Sequence, residues 1–174
     1  AILEGLRDGG ERPRGVVGFE ESGVLAGLPY LVVPHVRGVS LDRLLARDPL
    51  PTEVASLIAG DLARALAALH ERGVVHGDVA PSNVVLDDDG DLVLVDLGLA
   101  HRLGDKRPAP AGTPGYVSPE ASIGRPASPS DDAYSWGVVA AELSLGRRLF
   151  DDGDLASAAV RTSLPAGARV ESIP

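Results

Sequence analysis

The chain has 174 residues, of which 44% are hydrophobic, and its formal net charge is −9. This length is enough for one domain with an apolar core, whereas the acidic balance argues against a nucleic-acid surface, whose affinity would come from clustered Lys and Arg. The sequence contains no cysteine, which excludes disulfides and thiolate metal sites, and no apolar run approaches the roughly 18 residues of a membrane span.

The first fifty residues predict short elements separated by polar or Gly-bearing turns. Residues 1–7 (AILEGLR) are typical of the end of a helix. The apolar runs at 16–19 and 29–33 predict two adjacent strands, because each is short and bounded by turn-forming residues. A connector is expected at 34–38, and a short helix is expected after it at 40–46.

The clearest predicted helix is the stretch 52–70, in which apolar residues recur every three or four positions and form one stripe. Thr52 is the expected N-cap, and Gly73 follows the last turn as the expected C-cap. The predicted stripe consists of Val54, Leu57, Ile58, Leu62, Leu66 and Leu69.

A β-hairpin is predicted next, because two short apolar runs flank an acidic turn that contains glycine. The hairpin would bring Asn83, at the start of the first strand, beside Asp96, which follows the second strand. An Asn and an Asp placed side by side can share a divalent metal ion, and nearby Asp78 is free to accept a proton. The predicted strands are 83–86 and 92–95, and the predicted turn is 87–91.

Beyond the hairpin, the segment 101–112 is polar and rich in proline, and the letters GTPGYVSPE follow at 112–120. Residues 132–145 are apolar almost all round, which predicts a buried helix that ends at Gly146. A modest helix is expected at 155–161, before a tail rich in Pro, Gly and Ser.

Four motifs stand out along the chain. They are His76-Gly77-Asp78-x-x-x-x-Asn83, then Asp96-Leu97-Gly98, then GTPGYVSPE at 112–120, and finally Asp132-x-x-x-x-Gly137. Their order and spacing resemble those of protein kinases, in particular bacterial-type Ser/Thr protein kinases, with Ser118 in place of the usual Ala. The resemblance covers about residues 35–150.

The resemblance implies an α+β, mostly helical fold, which is a protein-kinase-like large lobe with an incomplete small lobe. Residues 1–33 would be a remnant of the small lobe, made of the end of its regulatory helix and two strands. Residues 34–38 would be the hinge, and 39–174 would be the large lobe, truncated before its last helices. The sequence contains no Met, so we expect it to be part of a longer polypeptide.

The resemblance also implies binding sites for ATP and Mg²⁺. At the hinge, adenine would bind the backbone carbonyl of Pro34 and the backbone N–H of Val36, and Val85 would lie beneath the ring. Asn83 and Asp96 would hold Mg²⁺, which prefers oxygen ligands and bridges phosphate groups.

The catalytic residues implied by the resemblance are Asp78 and Asn83. Asp78 would accept or orient the hydroxyl proton of a Ser or Thr in a protein substrate. Thr113, Gly115 and Tyr116 would belong to the segment on which that substrate docks. The other motif residues are expected to be structural, namely His76, Leu97, Gly98, Glu120 and Asp132.

Several positions depart from the family pattern. Ala80 replaces a Lys that usually contacts the transferring phosphate, and Gly77 replaces an Arg that usually binds a phosphorylated activation segment. Residues 99–112 contain no Ser, Thr or Tyr, so activation by phosphate–Arg pairing is not expected. The only Lys is Lys106 and no Gly-rich loop is present, so we expect these 174 residues alone to be inactive.

Three functional classes fit these motifs. The first is an ATP-dependent Ser/Thr protein kinase in a cytoplasmic setting, whether or not a longer parent protein is anchored in a membrane. The second is a pseudokinase or interaction module that keeps the fold without turnover. The third is a small-molecule phosphotransferase of the aminoglycoside-kinase type, which also carries H-G-D, although the GTPGYVSPE segment argues against it.

Overall fold

The computed structural model describes residues 13–107 and 111–150. In these residues it has the predicted α+β composition, and the helices hold more residues than the strands. The helices predicted at 1–7 and 155–161 lie outside the described residues. The helices are α1 (Leu41–Leu45), α2 (Thr52–His70), α3 (Pro119–Ser122) and α4 (Pro129–Leu145). The strands are β1 (Glu21–Leu25), β2 (Leu28–Val32), β3 (Gly38–Ser40), β4 (Val74–Val75), β5 (Val84–Asp87), β6 (Leu92–Leu94) and β7 (His101–Arg102).

The strands of the described residues form three small antiparallel sheets. β1 pairs with β2, β3 and β6 flank β5, and β4 pairs with β7. The predicted hairpin is therefore present, with Val85 opposite Val93 in its register. Its turn is solvated, as the acidic sequence indicates, because Asp88 and Asp89 are exposed. The pairing of β3 with β5 links the connector after β2 to this hairpin.

The strand predicted at 16–19 is wrong. The β pairing of Val16 is an isolated bridge with Leu94, outside any strand, and the strand that pairs with β2 is β1, which begins at Glu21. The apolar character of this run reflects burial in the core, where Val16 is 1% exposed and Val17 is 3% exposed. The signal for β1 is the two-residue turn Ala26–Gly27, whose positive φ angles of 52° and 83° match the twist of a tight hairpin.

Helix α2 packs against α4 and forms the centre of the core. The indole of Trp136 on α4 donates a hydrogen bond to the carbonyl of Ala59 at 2.8 Å. Burying apolar surface between two helices is the main source of their stability, since isolated helices are marginal in water. The buried residues of α2 are Ala55, Ile58, Leu62, Ala65, Leu66 and Leu69.

Helix α2 has the predicted bounds, but two stripe residues and both caps differ from prediction. Leu57 is 65% exposed and Val54 is 39% exposed. Leu57 precedes Ile58 by one residue, which turns its side chain about 100° away from the buried stripe, and small alanines complete that stripe. The N-cap is Pro51 and the C-cap is Glu71. Gly73 lies beyond the cap with a left-handed φ of 69°.

Helix α4 starts three residues earlier than the predicted 132, at Pro129. Ser128 caps it with a capping box completed by Asp131, and a proline at the first position suits a helix start. The helix ends at Gly146 as predicted, with a left-handed φ of 62°. In the part of the chain that the structure describes, no helix has the length and apolarity needed to span a membrane.

Candidate active site

The hairpin brings Asn83 and Asp96 to the same end of the molecule. Asn83 ends a short 3₁₀ turn just before β5, and its carbonyl accepts a hydrogen bond from Val95 N at 2.8 Å. Asp96 follows Val95 directly, so it lies at the open end of the hairpin beside Asn83. This juxtaposition is the one that the hairpin pattern predicts.

Asp78 is held by two separate elements. Its Oδ1 accepts hydrogen bonds from both the backbone N and the Oγ1 of Thr113, each at 2.7 Å. Its Oδ2 accepts a hydrogen bond from Asn83 Nδ2 at 2.9 Å, and the same amide donates to the Asp78 carbonyl at 2.8 Å. The structure therefore joins Asp78 to both Asn83 and the GTPGYVSPE segment, and the carboxylate is fixed in orientation.

The side-chain oxygens of Asn83 and Asp96 are of the chemical type that magnesium binds. The amide nitrogen of Asn83 is committed to Asp78, whereas its Oδ1 accepts, among the described residues, one long bond from Ser82 Oγ at 3.4 Å. Asp96 is exposed and has a left-handed φ of 62°, and its Oδ1 accepts a bond from Gly98 N at 3.0 Å. One carboxylate and one amide oxygen are ligands that Mg²⁺ accepts, with water and phosphate oxygens completing its coordination.

His76 is fully buried and links the Asp78 loop to the end of β6. Its Nδ1 accepts a hydrogen bond from Asp78 N at 3.3 Å, so the proton is on Nε2, which contacts the Val95 carbonyl at 3.1 Å. Burial lowers the pKa of His76, although the nearby carboxylate of Asp132 opposes this effect. The imidazole is therefore neutral in the folded protein at neutral pH.

The buried His76 makes the stability of the fold depend on pH. Below about pH 6.5, the ordinary pKa of histidine, the unfolded chain binds a proton that the folded chain does not. We expect the free energy of unfolding to fall there by up to about 1.4 kcal/mol per pH unit. Urea unfolding at several pH values measures it. His76→Gln should lower stability at neutral pH but flatten the pH dependence, whereas the exposed control His35→Gln should change neither. An unchanged slope in His76→Gln would contradict this account.

Asp132 at the start of α4 organises the same loop. Its Oδ2 accepts bonds from His76 N and His70 Nε2, and its Oδ1 accepts one from Gly77 N, all at 2.8 Å. The side chain is 1% exposed, so these bonds replace its solvation.

Gly77 also has a structural reason to be glycine, which its motif position does not reveal. Its φ is 78°, and a Cβ there would lie 2.7 Å from the Leu99 carbonyl oxygen. A larger residue would need both a strained backbone and a displaced neighbour. Glycine at this position therefore permits the close approach of this loop to the Leu99 carbonyl.

The GTPGYVSPE segment is anchored to α4 by side chains. Tyr116 OH donates to Glu142 Oε2, and Ser135 Oγ donates to the Tyr116 carbonyl, both at 2.7 Å. Burial raises the pKa of Tyr116, and the bond to Glu142 adds to this effect. Gly115, the residue before Tyr116, has a φ of 92°, a backbone conformation that favours glycine. Thr113, Gly115 and Tyr116 thus lie on one fixed segment next to Asp78.

An ion pair that sequence reasoning missed ties this region to the preceding segment. Arg107 Nη2 donates to Asp131 Oδ2 at 2.7 Å, and both side chains are only 6% exposed. Ser118 Oγ donates to Asp131 Oδ1 and accepts a bond from Ala121 N. The sequence gives one signal of this cluster, which is Ser118 in place of the usual Ala. Nothing in the sequence indicates that Arg107 and Asp131, 24 positions apart, would meet.

The predicted nucleotide contacts lie around the connector and the hairpin. Pro34 and Val36 are half-buried in the connector before β3, and Val36 packs against the core. Val85 is half-buried on β5 and pairs with Ser40 of β3. β3, which directly follows the connector, therefore pairs with the strand that carries Val85. The nucleotide contacts of Pro34, Val36 and Val85 stay predictions.

The remaining motif residues differ in burial. Leu97 is 4% exposed and packs in the core, whereas Gly98 and Glu120 are exposed. Gly98 N supports Asp96 as described above, while the backbone carbonyl of Glu120 accepts a bond from Arg125 N at 3.0 Å. The structural roles predicted for these residues stay predictions.

Comparison with known proteins finds related sequences along most of the chain. The family model of the protein kinase domain matches residues 16–168 of this chain. The chain is 34% identical over 142 residues to the serine/threonine-protein kinase PknL of Mycobacterium tuberculosis, which covers 79% of this chain and 36% of PknL. It is 39% identical over 132 residues to the serine/threonine-protein kinase PkaA of Streptomyces coelicolor, which covers 71% of this chain and 24% of PkaA.

A similar relationship extends to plants. The chain is 37% identical over 152 residues to a serine/threonine-protein kinase-like protein of Arabidopsis thaliana, over 75% of this chain and 45% of that protein. The chain therefore spans less than half the length of the curated relatives it matches.

Proposed function

Because this chain belongs to the protein kinase family, we propose that the natural polypeptide containing it transfers the γ-phosphate of ATP to Ser or Thr hydroxyls of proteins. The observation that carries this proposal is the position of Asp78, whose carboxylate binds both Asn83 and Thr113. A base that is tied to a metal-ligand residue and to a peptide-docking segment can meet the phosphate donor and the acceptor hydroxyl together.

The proposal also divides the chain into two lobes joined by a hinge. Residues 1–33 belong to a small lobe, 34–38 form the hinge, and 39–174 belong to a large lobe. The pairing of β1 with β2 before the connector, and of β3 with the hairpin after it, supports a change of lobe at this point. ATP would lie between the lobes, with adenine at Pro34 and Val36 and above Val85.

The proposed chemistry assigns one task to each polar side chain. Asn83 and Asp96 hold Mg²⁺, which when bound would neutralise charge on the phosphates. Asp78 Oδ1 is occupied by the two bonds from Thr113, so its Oδ2 is the atom that accepts the hydroxyl proton. Asn83 Nδ2 keeps that oxygen in place while it does so. The oxygen of the deprotonated hydroxyl then attacks the γ-phosphorus as the bond to ADP breaks.

A second candidate function is a pseudokinase or interaction module without turnover. Ala80 favours it, because this residue is fully buried and stands where a cation would stabilise the transferring phosphate. Losing one such charge typically lowers the rate by about a hundredfold or more. The fold and the Asp78 contacts need no catalysis to persist, so activity has to be measured.

Transfer of radiolabelled phosphate from Mg-ATP to a generic Ser/Thr protein substrate separates these two candidates. We expect transfer by the natural polypeptide, and we expect Asp96→Asn to reduce it by about a hundredfold or more, because an uncharged ligand holds Mg²⁺ less well. The exposed turn residue Asp89 provides the matched control Asp89→Asn, which should transfer normally. Absence of transfer in the unmodified polypeptide, with nucleotide binding retained, would favour the second candidate.

A further inference from the structure

A cavity of about 410 Å³ opens beside the Asp78 loop. Thr113, which bonds Asp78, lines it together with Ala80 and Ser82 of the same loop. This volume lies within the range of pockets that bind small ligands or side chains. A peptide whose hydroxyl reached Asp78 would therefore place a neighbouring side chain in or near this cavity.

One of the two acidic residues of the lining is not available to a ligand. Glu142 is 2% exposed, and both of its oxygens already accept hydrogen bonds, Oε2 from Tyr116 OH at 2.7 Å and Oε1 from Leu149 N at 2.9 Å. A basic ligand group would have to compete with these buried bonds, which is unfavourable. Asp42, exposed on α1, is the other acidic residue of the lining.

Two exposed arginines follow the end of α4 and line the same cavity. The guanidinium of Arg148 lies over the Tyr116 ring, 5.7 Å from its centroid, and donates a long bond of 3.4 Å to the Pro114 carbonyl. Arg147 makes no hydrogen bond or ion pair with any residue that the structure describes. The stacked Arg148 is oriented by an aromatic face, and the neighbouring Arg147 adds a second positive charge.

We infer that this cavity receives an anionic side chain of the protein substrate, and that Arg147 and Arg148 bind it. The anion is a carboxylate of Asp or Glu or the phosphate of an already phosphorylated residue, because a guanidinium binds either one through paired N–H groups. Glu142 is occupied, so Asp42 is the other acidic residue of the lining, and Arg147 lines the cavity without a partner among the described residues. Leu45 and Ala46 supply an apolar wall for the stem of the side chain. This inference rests on the proposed function as a protein kinase.

Peptide binding tests the inference without requiring catalysis. Fluorescent peptides would carry Ala at the acceptor position and, at each flanking position in turn, Glu, phosphoserine or Lys. Fluorescence anisotropy with the natural polypeptide should show about tenfold tighter binding of the acidic peptides at one or two positions. A preference for phosphoserine over Glu would identify phosphate as the anion, and a preference for Glu over phosphoserine would identify the carboxylate.

The variant Arg147→Glu should abolish or reverse the preference, and because Arg147 is exposed it should fold normally. Arg125→Glu is the matched control, since Arg125 is also exposed and does not line the cavity. Equal binding of acidic and Lys peptides, or an unchanged preference in Arg147→Glu, would overturn the inference.

The same peptides with Ser at the acceptor position test the proposed function separately. We expect phosphate transfer to these peptides with the same acidic preference, expressed mainly in KM. Acid-dependent binding without any transfer would contradict the proposed catalysis while leaving the anion site intact. Transfer without an acidic preference would contradict the anion site while leaving the proposed catalysis intact.

Discussion

Phosphate transfer should fall by at least about a hundredfold in Asp78→Asn, since general-base catalysis contributes about a hundredfold to ten-thousandfold. Asn has nearly the same shape as Asp but cannot take up the hydroxyl proton. Its oxygen can still accept the two bonds from Thr113, while its NH₂ group would face Asn83 Nδ2 instead of accepting from it. The rate of radiolabel transfer from Mg-ATP under saturating substrate measures the effect.

A companion variant tests how Thr113 positions Asp78. Thr113→Val keeps the backbone N–H donor and removes only the Oγ1 bond to Asp78. We expect a smaller loss of about tenfold, because one charge-assisted hydrogen bond is worth about 1.5–3 kcal/mol and part of it is replaced by the remaining donor. Asp89→Asn, in the exposed turn, is the control that should transfer normally. Transfer by Asp78→Asn at more than half the normal rate would refute the role of Asp78 as the base.

The largest loss of stability is expected for Asp132→Ala. The change removes the acceptor for two buried backbone N–H groups, His76 N and Gly77 N, and for the ring of His70. Each orphaned buried donor costs about 1–3 kcal/mol, so the two backbone groups alone should lower the free energy of unfolding by about 2–6 kcal/mol. This is a large part of the roughly 5–15 kcal/mol that stabilises a typical domain.

Urea unfolding of the chain, followed by fluorescence, measures this loss. Trp136 is the only Trp of the sequence, and it lies on the same helix as Asp132, where its indole bonds Ala59 of α2. It therefore reports directly on the packing of α4 against α2. Asp89→Ala is the control, because Asp89 is exposed and its side chain lies in the hairpin turn. A loss below about 1 kcal/mol in Asp132→Ala would mean that water or a shifted loop satisfies the donors.

Local patterns in the sequence determined most of the element positions. The bounds of α2 agree with the prediction, since its apolar spacing is dense and uninterrupted. The β5–β6 hairpin lies within a residue of its predicted bounds, because an acidic turn separates two apolar runs. The motif letters also indicated the family, which the match to the protein kinase domain confirms. The predicted roles of Asp78, Asn83 and Asp96 stay predictions, although the structure brings these residues together.

Tertiary structure decided the features in which a residue's partner is distant in sequence. Val16 and Val17 have the composition of a strand, but Val16 forms an isolated bridge with Leu94 of the hairpin instead of a strand, and both side chains are buried in the core. Arg107 and Asp131 form an ion pair because the chain returns to the start of α4, where both side chains are buried and Ser118 donates a hydrogen bond to the same carboxylate. Local spacing carries no information about such contacts, whereas it largely determines helices and hairpins, whose hydrogen bonds join near neighbours.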